Sequence, residues 1–321
     1  RRYIVSRTRP KRSRPDAGVR DMSNILVTVV MGVYNQHNRE ELEEAVQSIL
    51  MQTMQNWELI ICDDGSDGEA ARNLKNYENR DERIRVLRHP RNRGLAATLN
   101  TCIAQAKGKY IARMDADDVS RPQRLEMQYQ FLEKNIQYAF VGCNADLIDK
   151  DGVWGIRIMP EKPCREDFLP FSPFIHPSVM VRREVYLMSG GYYVSKETWR
   201  CEDYELFMRL YAQGYQGYNM QERLFCYRED KTSYERRRFR YRLDEAKIRH
   251  RNFKNLGMAG PVTWLYTIRP VAAGLLPVPL LMYIKRRQVR KEVAFVESFE
   301  TAKELQTELL PQTVEKDARA A

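Results

Sequence analysis

Tyr110-Ile111-Ala112-Arg113-Met114-Asp115-Ala116-Asp117-Asp118 runs from a short, mostly apolar strand signal straight into three carboxylates. The same order occurs upstream, where Trp57-Glu58-Leu59-Ile60-Ile61-Cys62 ends on Asp63-Asp64-Gly65-Ser66. A third acidic pair, Glu202-Asp203, opens a later helical pattern. Packing gives no reason to put carboxylates at the ends of buried strands beside a Gly turn. The arrangement predicts a sheet whose strand ends carry a site.

The neighbouring sequence supports that sheet. Residues 25–33 are apolar and Val-rich, as expected of a central parallel strand. Residues 39–51 place Leu42, Ala45, Val46, Ile49 and Leu50 at helical spacing. A helix over 69–77, a strand over 84–87 and a helix over 94–107 opened by a Gly turn precede the strand at 110–114. This alternation means an open α/β sheet with right-handed crossovers. Such sheets bind ligands beyond the carboxyl ends of their strands, where Asn35, Asp63-Asp64 and Asp115-Asp117 fall; Asp67-Gly68 reads as an ordinary turn. Further on, the pattern predicts a helix over 121–134 starting at Ser120, with Pro122 in its first turn. Strands follow over 139–148 and 178–181, with a hairpin turn at Asp151-Gly152, and a helix runs from Glu202 to Leu210.

Side chains alternate along an extended chain, so Asp115 and Asp117 face the same side. Two hard oxygen ligands at that spacing suit Mg²⁺ or Mn²⁺ and leave coordination positions for substrate phosphates. A bound ion would neutralise a departing diphosphate. Asp64 can accept hydrogen bonds from the imide or amino edge of a nucleobase, or cap its own turn. Tyr34, one strand over, can contact the same base or simply pack. Glu202-Asp203 can stabilise a helix start by roughly 0.3–1 kcal/mol or supply a general base.

A chain of 321 residues can bury one large core or two modest ones. Its net charge of +10 indicates an anionic partner. Six scattered cysteines without a CxxC pair argue against zinc and a disulfide framework and fit a reducing cytoplasm. Cys62 and Cys143 sit in apolar runs and read as core residues. Residues 1–21 are rich in Arg and Pro and read as a disordered basic leader outside the fold. Residues 231–254 are dense in Arg and Lys. Residues 271–284 are apolar but contain Pro277 and Pro279, and fall short of the ~20 residues a bilayer span needs. Basic residues crowd both flanks, so Trp264, Leu265, Leu275, Leu276, Leu280 and Leu281 are expected to form an interfacial membrane anchor rather than a core segment. Lys285-Arg286-Arg287 and Arg290-Lys291 would then meet anionic headgroups.

The chain resembles the family 2 glycosyltransferases, inverting enzymes of GT-A fold found in bacterial surface-polysaccharide assembly. The resemblance covers residues 25–234. It is carried in order by Val29-Val30-Met31-Gly32-Val33-Tyr34-Asn35, Ser48-Ile49-Leu50-Met51-Gln52-Thr53, Asp63-Asp64-Gly65-Ser66 and Asn92-Arg93-Gly94-Leu95-Ala96. It continues through Met114-Asp115-Ala116-Asp117-Asp118, His176-Pro177-Ser178-Val179-Met180 and Cys201-Glu202-Asp203-Tyr204-Glu205-Leu206. It implies a Rossmann-like, mostly parallel sheet with helices on both faces over 22–235. Residues 22–120 would bind the nucleotide sugar and 121–235 the acceptor, with a basic, partly apolar helical extension over 236–321. It implies that Tyr34 and Asp64 contact the nucleoside, Asp115 the ribose, and Asp117, with Asp115, a Mn²⁺ or Mg²⁺ ion bridging the diphosphate. Asp203 would deprotonate an acceptor hydroxyl, and Arg93 would touch the nucleotide. Asp63 and Glu202 are secondary candidates, and His176 matches a position near the acceptor without an assigned catalytic role. Relatives often carry Tyr-Arg-x-His where this chain has Tyr227-Arg228-Glu229-Asp230, leaving Asp230 as an oxygen ligand or a water in its place. Lys231 and Arg236 would form a flap over the diphosphate or a solvated basic surface. The implied partners are a nucleotide diphosphate sugar, UDP-linked by preference, and a glycan or lipid-linked acceptor. The implied location is the cytoplasm, at the inner face of the plasma membrane.

Two other functions fit this sequence less well. A nucleotidyltransferase would show a Gly-rich phosphate loop with Arg and Lys after its first strand, where Tyr34-Asn35-Gln36-His37-Asn38 stands. A nucleic-acid-binding module would fit the Arg clusters, but no reader motif accompanies them, and an acidic strand edge repels phosphate.

Overall fold

The computed structural model describes residues 25–229, 239–277 and 279–281, with 283, 284, 286, 287 and 289 beyond them. The leader 1–21, Asp230, Lys231, Arg236 and the chain from 290 onward lie outside the described residues.

The first half alternates as the pattern predicts: β1 (Val27–Val33), α1 (Arg39–Leu50), β2 (Trp57–Asp63), α2 (Gly68–Lys75), β3 (Ile84–Arg88), α3 (Leu95–Gln105) and β4 (Tyr110–Met114). β3, β2, β1 and β4 lie side by side and parallel. The second half adds β5 (Val119–Ser120), α4 (Arg124–Lys134), β6 (Phe140–Asp149), β7 (Gly152–Arg157), β8 (Met180–Arg182), α5 (Arg183–Ser189), α6 (Glu202–Ala212) and β9 (Gly217–Arg228). β8 runs antiparallel between β4 and β6, while β9 runs parallel to β6. Six strands of the nine-stranded sheet therefore share one direction, with β5, β7 and β8 reversed. Two helices, α7 (Phe239–Asn255) and α8 (Pro261–Gly274), follow.

Both sheet faces are covered, which is why the central strands lack polar alternation. Val27, Val29, Met31 and Val33 of β1 join a core with Leu42, Val46 and Ile49 of α1 and Leu125 and Leu132 of α4. Val30 points the other way, into a core with Leu99 and Ile103 of α3, Leu206 and Phe207 of α6, and Ile248 and Phe253 of α7. Each such side chain contributes roughly 1.5–3 kcal/mol when fully buried. Cys62 and Cys143 are fully buried, as their apolar settings predict.

The helix predicted from Ser120 begins later, at Arg124. Val119 and Ser120 pair with Cys226 and Phe225 of β9 instead. The buried Gln52 side chain then donates to the Ser120 hydroxyl and the Arg121 carbonyl, and accepts from the Leu125 N–H. One distant amide thus caps the helix and holds the strand. The strand predicted over 178–181 is displaced to Met180–Arg182 because His176–Ser178 form a 3₁₀ turn. α5 and β9 were not expected; β9 is hidden because its apolar alternation breaks at the exposed Gln221-Glu222-Arg223.

The register brings the site together. Val33 lies opposite Asp63, and Met31 opposite Met114. Tyr34, Asp64 and Asp115 therefore leave adjacent strands at one edge. The turn after β2 is laced tightly: Asp63 accepts from the Ser66 N–H at 2.8 Å, and Ser66 accepts from the Asn35 N–H at 2.9 Å. Gly65 sits at φ +77°, and a Cβ there would lie 2.6 Å from the Arg91 carbonyl carbon. Gly65→Ala is expected to destabilise the fold by about 1–3 kcal/mol, read by guanidinium unfolding. A loss under about 0.5 kcal/mol, the ordinary surface value, would contradict this account of the turn.

Candidate active site

A cleft of about 540 Å³ opens at the carboxyl ends of β1, β2 and β4. Tyr34, Asp64, Asp115, Asp117, Glu202, Asp203 and His176 all line it. One part of the lining comes from the strand ends of the first half. A second part of the lining comes from the segment before α6 and from the first turn of that helix.

Asp115, Asp117 and Asp118 bring carboxylate oxygens within 4.8 Å of one another. Burial, followed by the charges of Asp115 and Glu41, pushes the Asp117 carboxyl up to about 7. Burial together with Asp117 and Asp115 raises Asp118 well above the usual range. One Asp118 oxygen accepts from the Arg228 N–H at 2.7 Å, while the other is buried without a hydrogen-bond partner among the described residues. Crowded, partly unpartnered carboxylate oxygens are the donor set a hard divalent cation takes, so these residues fit Mg²⁺ or Mn²⁺.

Two arginines hold this cluster. Arg113, fully buried on β4, reaches Asp115 at 2.5 Å. Arg228, at the end of β9, donates from Nε to the Asp117 carbonyl at 2.6 Å and from Nη2 to Glu44 at 2.7 Å. Sequence reasoning gave neither a role, and it left Asp118 out of the ligand set. The signal for Arg228 was its place in the Tyr227-Arg228 segment.

Asp64 is less free than expected. Oδ1 accepts from the Arg93 N–H at 2.9 Å and lies 2.7 Å from His89 Nδ1, while Oδ2 accepts from the Gly94 N–H at 2.8 Å. A carboxylate has about four acceptor positions, so one remains for a ligand. Arg93 acts here through its backbone; its side chain is exposed and does not line the cleft, whereas Asn92 and Gly94 do. Asp63 is buried under the turn, 3.5 Å from Arg88, and also lies outside the lining. Tyr34 stays half exposed at the cleft edge.

In that second part, burial pushes Glu202 up to about 7. Asp203 shares the first turn of α6 with it. Trp199 and Arg200 stand just before them; Arg200 adopts φ +69°, and the Trp199 indole lies against Gly94. His176 is buried, with Nε2 2.6 Å from the Tyr192 hydroxyl. Burial, reinforced by the Arg113 charge, holds its pKa well below the usual value. This setting disfavours the charged imidazole where it lines the cleft.

The raised carboxyls have a consequence for stability. A folded state that keeps protons the unfolded chain has released is favoured at low pH, and that advantage disappears as pH rises to the folded pKa. For Asp117 and Glu202 this window runs from about 4 to about 7. Metal-free protein should therefore lose stability across it. Mn²⁺ should restore stability more strongly near pH 8 than near pH 5.5, because it competes with those protons. Thermal melts across this range, with and without Mn²⁺, check this; a Mn²⁺ effect independent of pH would contradict it.

The model for "Glycosyl transferase family 2" matches residues 28–187. The chain is 37% identical over 273 residues to EpsE of Bacillus subtilis (strain 168), named as a glycosyltransferase, spanning 84% of this chain and 97% of that one. It is 33% identical over 141 residues to an Escherichia coli enzyme, the UDP-Glc:alpha-D-GlcNAc-diphosphoundecaprenol beta-1,3-glucosyltransferase WfgD, spanning 44% and 54% of the two chains. S. aureus TarS 1-349 in complex with UDP-GlcNAc superposes with a TM-score of 0.58 at 15% identity, over 78% of this chain and 71% of that one. The Pyrobaculum calidifontis mannosyltransferase PcManGT, in complex with GDP-Man and Mn²⁺, gives 0.55 at 17% identity over 92% and 88%. These likenesses bear out the GT-A architecture. With the ordered motifs and the relative matched over nearly its whole length, the chain belongs to glycosyltransferase family 2 and is a glycosyltransferase.

Proposed function

We propose that the chain is an inverting, metal-dependent glycosyltransferase that moves a sugar from a nucleotide diphosphate sugar, UDP-linked by preference, to an acceptor hydroxyl. The acceptor is a glycan or lipid-linked sugar of a cell-surface polysaccharide under assembly at the inner face of the plasma membrane. The observation that carries this reading is one cleft lined both by a three-carboxylate cluster and by Asp203. The UDP-GlcNAc bound by TarS and the UDP-Glc and diphosphoundecaprenol acceptor in the name of WfgD support the donor and acceptor classes. The Mn²⁺ bound by PcManGT supports the metal.

In this reading residues 22–120 form the donor half and 121–235 the acceptor half. Tyr34 flanks the base, and the remaining acceptor position of Asp64 takes a base N–H. Asp64 also fixes the segment carrying Asn92 and Gly94, so it shapes the donor site as well as touching it. Asp115 lies toward the ribose, and Asp117 and Asp118 would hold the cation with it. Mn²⁺ or Mg²⁺ held there would supply positive charge toward the departing diphosphate. Asp203 accepts the proton of the acceptor hydroxyl as that oxygen bonds to the anomeric carbon. The bond from that carbon to the diphosphate breaks on the opposite side, so one displacement inverts the configuration. Arg113 and Arg228 keep the carboxylates placed throughout.

The two roles should separate by mutation. Asp203→Asn should keep Mn²⁺-dependent UDP binding and lower transfer by about 10²–10⁴-fold. Asp117→Asn should weaken that binding itself. Calorimetry with UDP, and transfer of label from UDP-sugars to a bacterial lipid extract, measure the two effects. Equal loss of UDP binding in both variants would contradict the division of roles.

A further inference from the structure

α8 is apolar all the way round: Arg269 is the one charged residue among its 14. Its inner side packs on α7, burying Thr267 and Pro270 and bringing Gly274 against Phe239 and Arg242. Its outer side has no such cover among the described residues. Val262, Leu265 and Arg269 lie along one outer stripe, with exposures of 59% and 61% for the two apolar residues, and Trp264 beside them is 63% exposed. The chain then turns at Leu275 and Leu276, both exposed, and helical structure resumes after Pro277. There Leu280, Tyr283, Ile284 and Arg287 are exposed at i, i+3, i+4 and i+7, one helical face. A helix apolar on both sides needs a second apolar medium.

The charge pattern identifies that medium. Between Glu245 and Glu292 the sequence has ten Lys and Arg residues and no Asp or Glu. Arg269, Arg286 and Arg287 are exposed around the apolar face. Arg269 also donates to the Pro170 carbonyl at 2.7 Å, and Arg286 stands beside Asp149, Asp151 and Trp154. Exposed Leu, Trp and Tyr beside guanidiniums, in a stretch of sequence that itself carries no acid, match the acyl boundary and phosphate headgroups of an anionic bilayer. At 14 residues α8 is about 21 Å long, too short to span a bilayer but long enough to lie along it. Among the described residues no helix is long and apolar enough to cross a membrane.

We infer that the outer face of α8, together with Leu275, Leu276, Leu280, Tyr283 and Ile284 beyond it, is a docking surface for an anionic lipid bilayer. α7 shares a core with α6, whose first turn carries Asp203, so docking here ties that side of the cleft to the lipid surface. This surface is independent of the sugar-transfer reading, and its test requires no substrate.

The full chain would be mixed with vesicles of pure phosphatidylcholine and with vesicles containing phosphatidylglycerol. Binding to the anionic vesicles should exceed binding to neutral ones by about tenfold or more and fall with added salt. Trp264 emission should shift to the blue on binding, and Trp264→Phe should remove the shift while keeping the binding. Trp264→Glu combined with Leu265→Glu should abolish binding while leaving the thermal melt and Mn²⁺ response intact. Equal affinity for both vesicle types, no binding to either, or binding that leaves Trp264 emission unchanged would overturn the inference. So would a dimer in solution that the double variant dissociates, because a second copy would then cover the face.

Discussion

Three carboxylates within 4.8 Å of one another, sunk into the end of a sheet, are the constraint around which this chain is arranged. Like charges in a poorly solvated setting resist ionisation, and the raised carboxyls of Asp117 and Asp118 register that resistance. The fold keeps the cluster together with two arginines far apart in the sequence. Arg113 sits inside the strand that delivers Asp115, and Arg228 ends the strand that closes the sheet beside it. Glu44 on α1 then ties Arg228 back to the first half. A site of this kind is held under electrostatic strain, which a bound divalent cation would relieve.

The same logic explains which parts were legible in the sequence. β1 to β4 and their helices stand out because parallel strands covered on both faces are continuous apolar runs, and each ends where a site begins. β9 is as long as any strand, yet its middle faces solvent and reads as polar loop. The start of α4 was misplaced because Pro122 and Ser120 are good local start signals, while the deciding contact is the amide of Gln52, far away in sequence. Local rules gave way to tertiary contacts at those points.

For the site, the residues that reach the cleft directly were readable from motif and strand position. The residues that position them were not. A buried arginine in a strand such as Arg113 looks like a breach of an apolar pattern until the carboxylate two residues on is placed beside it. Asp63 and Asp64 are adjacent and identical in type, yet alternation along the strand end sends one under a turn and the other to the cleft edge. Arg93 belongs to the site through its N–H, a contribution that side-chain chemistry does not reveal.

The most direct test of the central claim, that this cleft takes a metal together with a nucleoside diphosphate, is thermal stability against UDP with Mn²⁺ or with a chelator. GDP, CDP and dTDP serve as comparisons. A ligand at about 100 times its Kd stabilises a fold by roughly 2.7 kcal/mol. The account predicts stabilisation by UDP that requires Mn²⁺ and exceeds that of the other nucleotides. Stabilisation that is equal in chelator, or absent with every nucleotide, would contradict it.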